Sequence, residues 1–140
     1  MPSKGSILVI DDEPIIVDLL VEILTDEGYV VTSAPNGAAA LAAIARHPPA
    51  LILLDLGRSG QRGAELFEQV RRAGLTPMPM VLMSTDPRDA APLLTPGAVE
   101  YLAKPFDLDE LLDCVTRSIR ASPESVHFDG VAPNVFCDDF

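Results

Sequence analysis

Apolar positions along the chain follow two alternating periods. Short β-rich runs occur at Ile7–Ile10, Tyr29–Val31, Leu51–Leu54, Met80–Met83 and Val99–Leu102. Helical spacing fills the intervals. Ile15, Ile16, Leu19, Leu20, Ile23 and Leu24 form one apolar stripe, with Asp18, Glu22 and Asp26 opposite. Pro14 suits the first turn of that helix, where its missing N–H has no intrahelical partner, and Gly28 suits its C-terminal end. Further helices are expected over Ala38–His47, ended by Pro48-Pro49, over Ala64–Ala73, closed by Gly74, and over Leu108–Ser118 with Asp107 as N-cap. Five strands alternating with helices predict an α/β fold, a doubly wound five-stranded parallel sheet with flanking helices, because parallel crossovers need about a dozen residues each. One interval fits badly. A fourth helix between Asp86 and Pro96 would contain Pro87, Pro92 and Pro96. Pro87 can open a helix, but Pro92 removes a backbone bond inside it, so this helix should be short or broken.

Composition narrows the class. The 140 residues hold 21 Asp and Glu against 10 Lys and Arg, a formal charge of −11. An acidic surface excludes phosphate-backbone binding, so no direct nucleic-acid partner is expected. No apolar run approaches the ~20 residues of a membrane span, and Asp11 interrupts the first run too early for a signal peptide. Cys114 and Cys137 are too few for a disulfide framework, which points to a reducing cytoplasm. His47 and His127 have no metal-ligand company, so a zinc site is rejected. Cys114 reads as core and Cys137 as a spectator thiol. Residues 1–121 read as one domain. Residues 122–140 read as an acidic C-terminal tail with no output domain, although Val126, Phe128, Val131, Val135, Phe136 and Phe140 make it more apolar than a purely solvated tail.

In an open parallel sheet, ligands bind beyond the carboxyl ends of the strands, where strand order reverses. At those ends stand Asp11-Asp12-Glu13 after the first strand and Asp55 at the end of the third. Ser84-Thr85 follow the fourth and Lys104-Pro105 the fifth. Alone, the acidic run reads as helix-entry charge, Lys104 as a surface cation, Ser84 as a capping hydroxyl and Tyr101 as half-buried packing. Together they converge on one edge. Clustered carboxylates repel one another unless a cation sits among them, and an all-oxygen set favours Mg²⁺ over zinc. A carboxylate beside such a cation, a lysine and a hydroxyl is equipped to receive a phosphoryl group.

These runs carry a resemblance. Leu8-Val9-Ile10-Asp11-Asp12-Glu13-Pro14, Leu53-Leu54-Asp55, Val81-Leu82-Met83-Ser84 and Gly97 to Phe106 appear in the order found in receiver domains. The chain therefore resembles the receiver domain of two-component response regulators over roughly Gly5 to Arg120, in the single-domain manner of chemotaxis-type regulators. The resemblance implies the flavodoxin-like receiver fold. It makes Asp55 the phospho-acceptor, and it implies Mg²⁺ held by Asp12, Asp55 and the carbonyl of Gly57, with Asp11 acting largely through water. Lys104 would contact the phosphoryl group and Pro105 would follow it in cis. Ser84 would be the switch hydroxyl and Tyr101 the switch aromatic. Thr85 takes the hydroxyl role if the strand register is one residue off; Pro79 at the strand entry favours Ser84. Two departures stand out. Arg58-Ser59 replaces the usual Met-Pro pair, and the fourth element is about two residues short, although Gly63 matches the glycine opening the third helix.

The function implied is a stand-alone receiver that accepts phosphate from a sensor histidine kinase or phosphotransfer protein and signals to an unknown output protein. It would be no enzyme beyond its own self-phosphorylation and autodephosphorylation. No membrane partner is expected, and a monomer or weak homodimer involving the tail is. The alternative is a degenerate receiver, a phosphorylation-independent interaction module, suggested by Arg58-Ser59 and the proline-broken fourth element. An acid-nucleophile phosphatase is set aside because Gly57 stands where the second carboxylate belongs. A dinucleotide binder is set aside because no Gly-rich loop follows the first strand.

Overall fold

A computed structural model describes residues 4–56, 60–73, 79–94 and 99–120, with only the backbone described at 60–63, 73 and 120. The strands are β1 (Ser6–Ile10), β2 (Val30–Ala34), β3 (Leu51–Asp55), β4 (Met80–Ser84) and β5 (Val99–Ala103). The helices are α1 (Pro14–Asp26), α2 (Gly37–Arg46), α3 (Gly60–Ala73), α4 (Pro87–Ala90) and α5 (Leu108–Arg120), with one 3₁₀ turn at Ala91–Leu93. All strand pairs are parallel, in the order β2-β1-β3-β4-β5. Strand order reverses between β1 and β3, which puts the chain segments after both strands at the switch point.

The sheet is covered on both faces. Leu8, Ile10, Ile52, Leu54 and Leu82 pack with Ala40, Ile44, Phe67, Val70 and Ala90 on the α2–α3–α4 side. Ile7, Val9, Leu51, Leu53, Val81 and Met83 pack with Leu20, Leu24, Leu111, Cys114 and Val115 on the α1–α5 side. Central strands buried on both faces carry no polar alternation, which is why β3 reads as an unbroken apolar run. Each fully buried Leu or Ile contributes about 1.5–3 kcal/mol, enough to fix this register.

The sequence stripe on α1 is wider than the face that docks. Only Leu20 and Leu24 are buried, with Ile16 and Ile23 packed at their flank. Ile15 is 81% and Leu19 51% exposed. At 100° per residue, both lie beyond the arc a helix can press onto a sheet. The α1 helix opens on Pro14 and closes at Glu27, and Gly28 follows at φ +106°, a conformation that favours glycine. The Asn36 side chain caps α2 by accepting from the Ala39 amide (2.9 Å). Asp107 caps α5 in a reciprocal box: its Oδ1 accepts from the Glu110 amide (2.8 Å), and Glu110 Oε1 accepts from the Asp107 amide (2.9 Å).

The fourth helix is short, as its prolines require. Pro87 opens α4, four residues complete it, and Pro92 falls inside the 3₁₀ turn. The third helix instead runs longer than expected, from Gly60 rather than Ala64. Arg58, Ser59, Gly74 and the tail, residues 122–140, lie outside the described residues. No described helix is long and apolar enough to cross a membrane.

Candidate functional site

Four strand ends deliver the site. Asp11 and Asp12 leave β1, Asp55 ends β3, Ser84 ends β4, and Lys104 follows β5. The backbone ties them together: the Lys104 amide donates to Ser84 O (2.9 Å), and the Leu56 amide donates to Met83 O (3.0 Å). Lys104–Pro105 is a cis peptide. Asp12, Asp55, Ser84, Thr85 and Lys104 all line one cavity of about 840 Å³, walled by Ile16, Leu19 and Phe106. A smaller cleft of about 200 Å³ reaches Asp11, Asp12 and Asp55 from the opposite side, between Asn36 and Gln69.

Carboxylate oxygens of Asp11, Asp12 and Asp55 lie within 4.8 Å of one another. Lys104 Nζ donates to Asp55 Oδ1 at 2.5 Å, with the Asp55 side chain 5% exposed. Asp11 is the deepest of the three. Its Oδ1 accepts from the Glu13 amide (3.0 Å), while its Oδ2 is buried with no hydrogen-bond partner among the described residues. Burial, reinforced by Asp55 and opposed by the Glu13 amide and by Lys104, pushes the Asp11 carboxyl up from 3.8 to about 6. A buried carboxylate oxygen without a described donor, on one of three clustered acids, fits a hard divalent cation, which would satisfy the orphan and cancel the repulsion. Gly57, whose carbonyl was expected to join the set, lies outside the described residues.

The sign of the Asp11 effect follows from its direction. A carboxyl that titrates higher in the folded state holds its proton better there than in the unfolded chain. In the metal-free protein, stability contributed by this group is therefore greatest below pH 4 and is lost as pH rises from about 4 to about 6, by about 3 kcal/mol. Divalent cations compete with that proton. Calorimetric titration with Mg²⁺ should show affinity falling as pH drops below about 6, with proton release on binding; a flat profile from pH 7 to 5 would contradict the assignment.

Ser84 is buried at 1%, and Thr85 beside it is exposed. The Ser84 hydroxyl is engaged by its own turn: Oγ accepts from the Asp86 amide (3.0 Å) and has Asp86 O (3.1 Å) and Asp89 Oδ2 (3.4 Å) as acceptors. Tyr101 is half-buried and its hydroxyl donates to Ser84 O (2.9 Å). Burial, then the charges of Asp86 and Asp89, push the Tyr101 hydroxyl up from its ordinary value, so it stays a proton donor. The Asp86 side chain accepts from the Arg88 amide (2.9 Å) and pairs with the Arg88 guanidinium (2.9 Å), which holds the Asp86 carboxyl below its usual range. Asp86 and Asp89 were not singled out from the sequence. The Asp86-Pro87 pair, an N-cap followed by a first-turn proline, was the signal available.

The chain matches the response regulator receiver domain family over residues 7–116. It is 37% identical over 136 residues to the transcriptional regulatory protein KdpE of Mycobacterium tuberculosis, covering 96% of this chain and 58% of the relative. It is 33% identical to the DNA-binding response regulator MtrA of Mycolicibacterium smegmatis, covering 86% and 53%. The chain thus spans little more than half the length of these curated relatives. Among solved structures, the receiver domain of NtrX from Brucella abortus superposes with a TM-score of 0.73 at 34% identity, covering 83% of this chain and 99% of that one. A structure described as a transiently phosphorylated "switch" in bacterial signal transduction gives a TM-score of 0.71 at 33% identity, covering 84% and 96%.

Proposed function

We propose, on the premise that this chain belongs to the response regulator receiver domain family, that it accepts a phosphoryl group on Asp55 in a Mg²⁺-dependent reaction and acts as a signalling receiver. The observation that carries this reading is the Asp55–Lys104 pair (2.5 Å) set beside Asp11 and Asp12 at the switch point of the sheet. Lys104 engages Oδ1 and holds the carboxylate still, which leaves Oδ2 to attack phosphorus. When the donor is a phosphohistidine, the new O–P bond forms as the P–N bond breaks, and the imidazole leaves with the electron pair. Asp11, Asp12 and Asp55, with the Gly57 carbonyl, would hold a divalent cation, which would supply positive charge to the phosphoryl oxygens. Lys104 supplies the second positive charge, and Ser84 offers a hydroxyl in the same cavity. The Asp55 adduct adds roughly −1.5 to −2 charge in place of one carboxylate.

The donor is a histidine kinase or phosphotransfer protein. It meets the apolar wall of the cavity, where Leu19 stays exposed in the lining shared with Asp55. We assign Ser84 rather than Thr85 as the responding hydroxyl, because Ser84 ends β4 and its carbonyl receives both Lys104 and Tyr101. The chain is an acceptor with its own phosphorylation and hydrolysis chemistry, acting in the cytoplasm on a protein partner. The phosphorylation-independent alternative draws on the broken fourth helix, and the assembled acid–lysine site weighs against it.

Intact-mass spectrometry with a small phosphodonor tests the reading. One phosphoryl group per chain should appear with Mg²⁺ and none with excess chelator. Labelling that ignores the chelator, or no labelling at all, would contradict it.

A further inference from the structure

A serine hydroxyl has one proton to give, and in this structure the α4 turn claims it. Ser84 Oγ lies between Asp86 O (3.1 Å) and Asp89 Oδ2 (3.4 Å) as acceptors and takes the Asp86 amide (3.0 Å) as donor. The turn is itself closed by Asp86, whose carboxylate binds both the amide and the guanidinium of Arg88. The hydroxyl cannot serve a phosphoryl oxygen at Asp55 while it serves this turn. The segment receiving it is unusually easy to disturb. With four residues and Pro92 directly beyond, α4 has almost no helical hydrogen bonding of its own, so bonds at its first turn are a large share of what holds it.

We propose that Asp89, acting with the Asp86 turn, is a latch that holds the Ser84 hydroxyl against α4 in the unphosphorylated protein, so that phosphorylation releases the first turn of α4. This rests on Asp55 being the acceptor and Ser84 the responding hydroxyl. Asp89 is then a positioning residue: it sets how often Ser84 is available rather than touching the phosphoryl group. An acceptor that binds only the resting arrangement biases the two-state equilibrium against the phosphorylated one, and its removal returns that bias as affinity.

The test uses the full chain with Mg²⁺ and the beryllium fluoride complex, a phosphoryl mimic, read by calorimetry. Asp89→Ala should bind the mimic roughly three- to tenfold more tightly than wild type. Asp89→Asn, which keeps an oxygen acceptor without the charge, should stay within about twofold of wild type. In a Ser84→Ala background, Asp89→Ala should change nothing, because the latch has no hydroxyl to hold. In wild type, the Asp86 amide should lose protection from hydrogen exchange when the mimic binds. Circular dichroism checks that each variant is folded. An Asp89→Ala affinity no tighter than wild type sinks the latch. So does a gain that persists in the Ser84→Ala background, since Asp89 would then act through charge alone. Wild-type protein that fails to bind the mimic removes the reading of Asp55 and the latch with it, whereas normal wild-type binding with no Asp89 effect removes only the latch.

Discussion

Asp55→Asn is expected to lower phosphorylation by a small phosphodonor at least about a thousandfold while leaving the fold intact. The amide is nearly isosteric with the carboxylate but has no anionic oxygen to attack phosphorus. It also cannot form the ion pair that Asp55 makes with Lys104 at 2.5 Å. The fold should survive because Asp55 sits at the end of β3, below which Leu51 to Leu54 are fully buried and independent of its charge. Asp11 reports the change: Asp55 is one of the charges that raise it, and the freed Lys104 lowers it further, so its titration should move down from about 6. Intact mass and NMR titration measure the two effects. Undiminished labelling in this variant would place the acceptor elsewhere.

Lys104→Met is expected to move cation binding and phosphorylation in opposite directions. The methionine keeps much of the side-chain bulk and removes the cation that offsets three neighbouring carboxylates. Without metal, an almost buried Asp55 carboxylate then lacks its partner, and the protein should lose about 3 kcal/mol in chemical denaturation. Mg²⁺ should bind more tightly than to wild type, because it no longer competes with the ammonium for Asp55, and saturating Mg²⁺ should return much of the lost stability. Phosphorylation should nevertheless fall about a hundredfold, since the second positive charge on the phosphoryl oxygens is gone. Unchanged Mg²⁺ affinity together with normal labelling would mean that Lys104 is only a surface neighbour of the site.

The parts of the molecule legible in sequence are those where one physical signal dominates. The strands of the sheet core are apolar runs because both faces are covered, so β3 and β4 were readable to within a residue. The edge strand β2 was not: Thr32 and Ser33 stay in the ladder with β1 but have no apolar face to announce them, and β2 extends to Ala34. The first turn of α3 was missed for the same reason, since Gly60, Gln61 and Arg62 carry no apolar period. On α1 the error had the opposite sign. Six apolar residues gave one stripe, but the sheet accepts only part of it; of the excess, Ile15 stays exposed and Leu19 lines the cavity over Asp55.

The candidate site was legible because topology does the gathering. Once five parallel strands are read, whatever follows their carboxyl ends must meet, and Asp11, Asp12, Asp55, Ser84 and Lys104 do meet. What the residue types could not disclose is which partner each polar atom chooses. Nothing in the sequence says that Asp11 Oδ2 is left buried without a donor among the described residues. Nor does it say that the Ser84 hydroxyl turns to Asp86 and Asp89, because that depends on how the Asp86-Pro87 turn closes.

The central claim is that distant acidic residues assemble so that Asp55 carries a phosphoryl group. Its most direct measurement is site mapping of wild-type protein labelled by a small phosphodonor in Mg²⁺, with the acyl phosphate trapped by borohydride reduction before peptide mass spectrometry. The account predicts a single modified residue, Asp55, absent when the metal is chelated. A label on any other side chain, or no trapped residue in protein shown to be folded and Mg²⁺-bound, would contradict it.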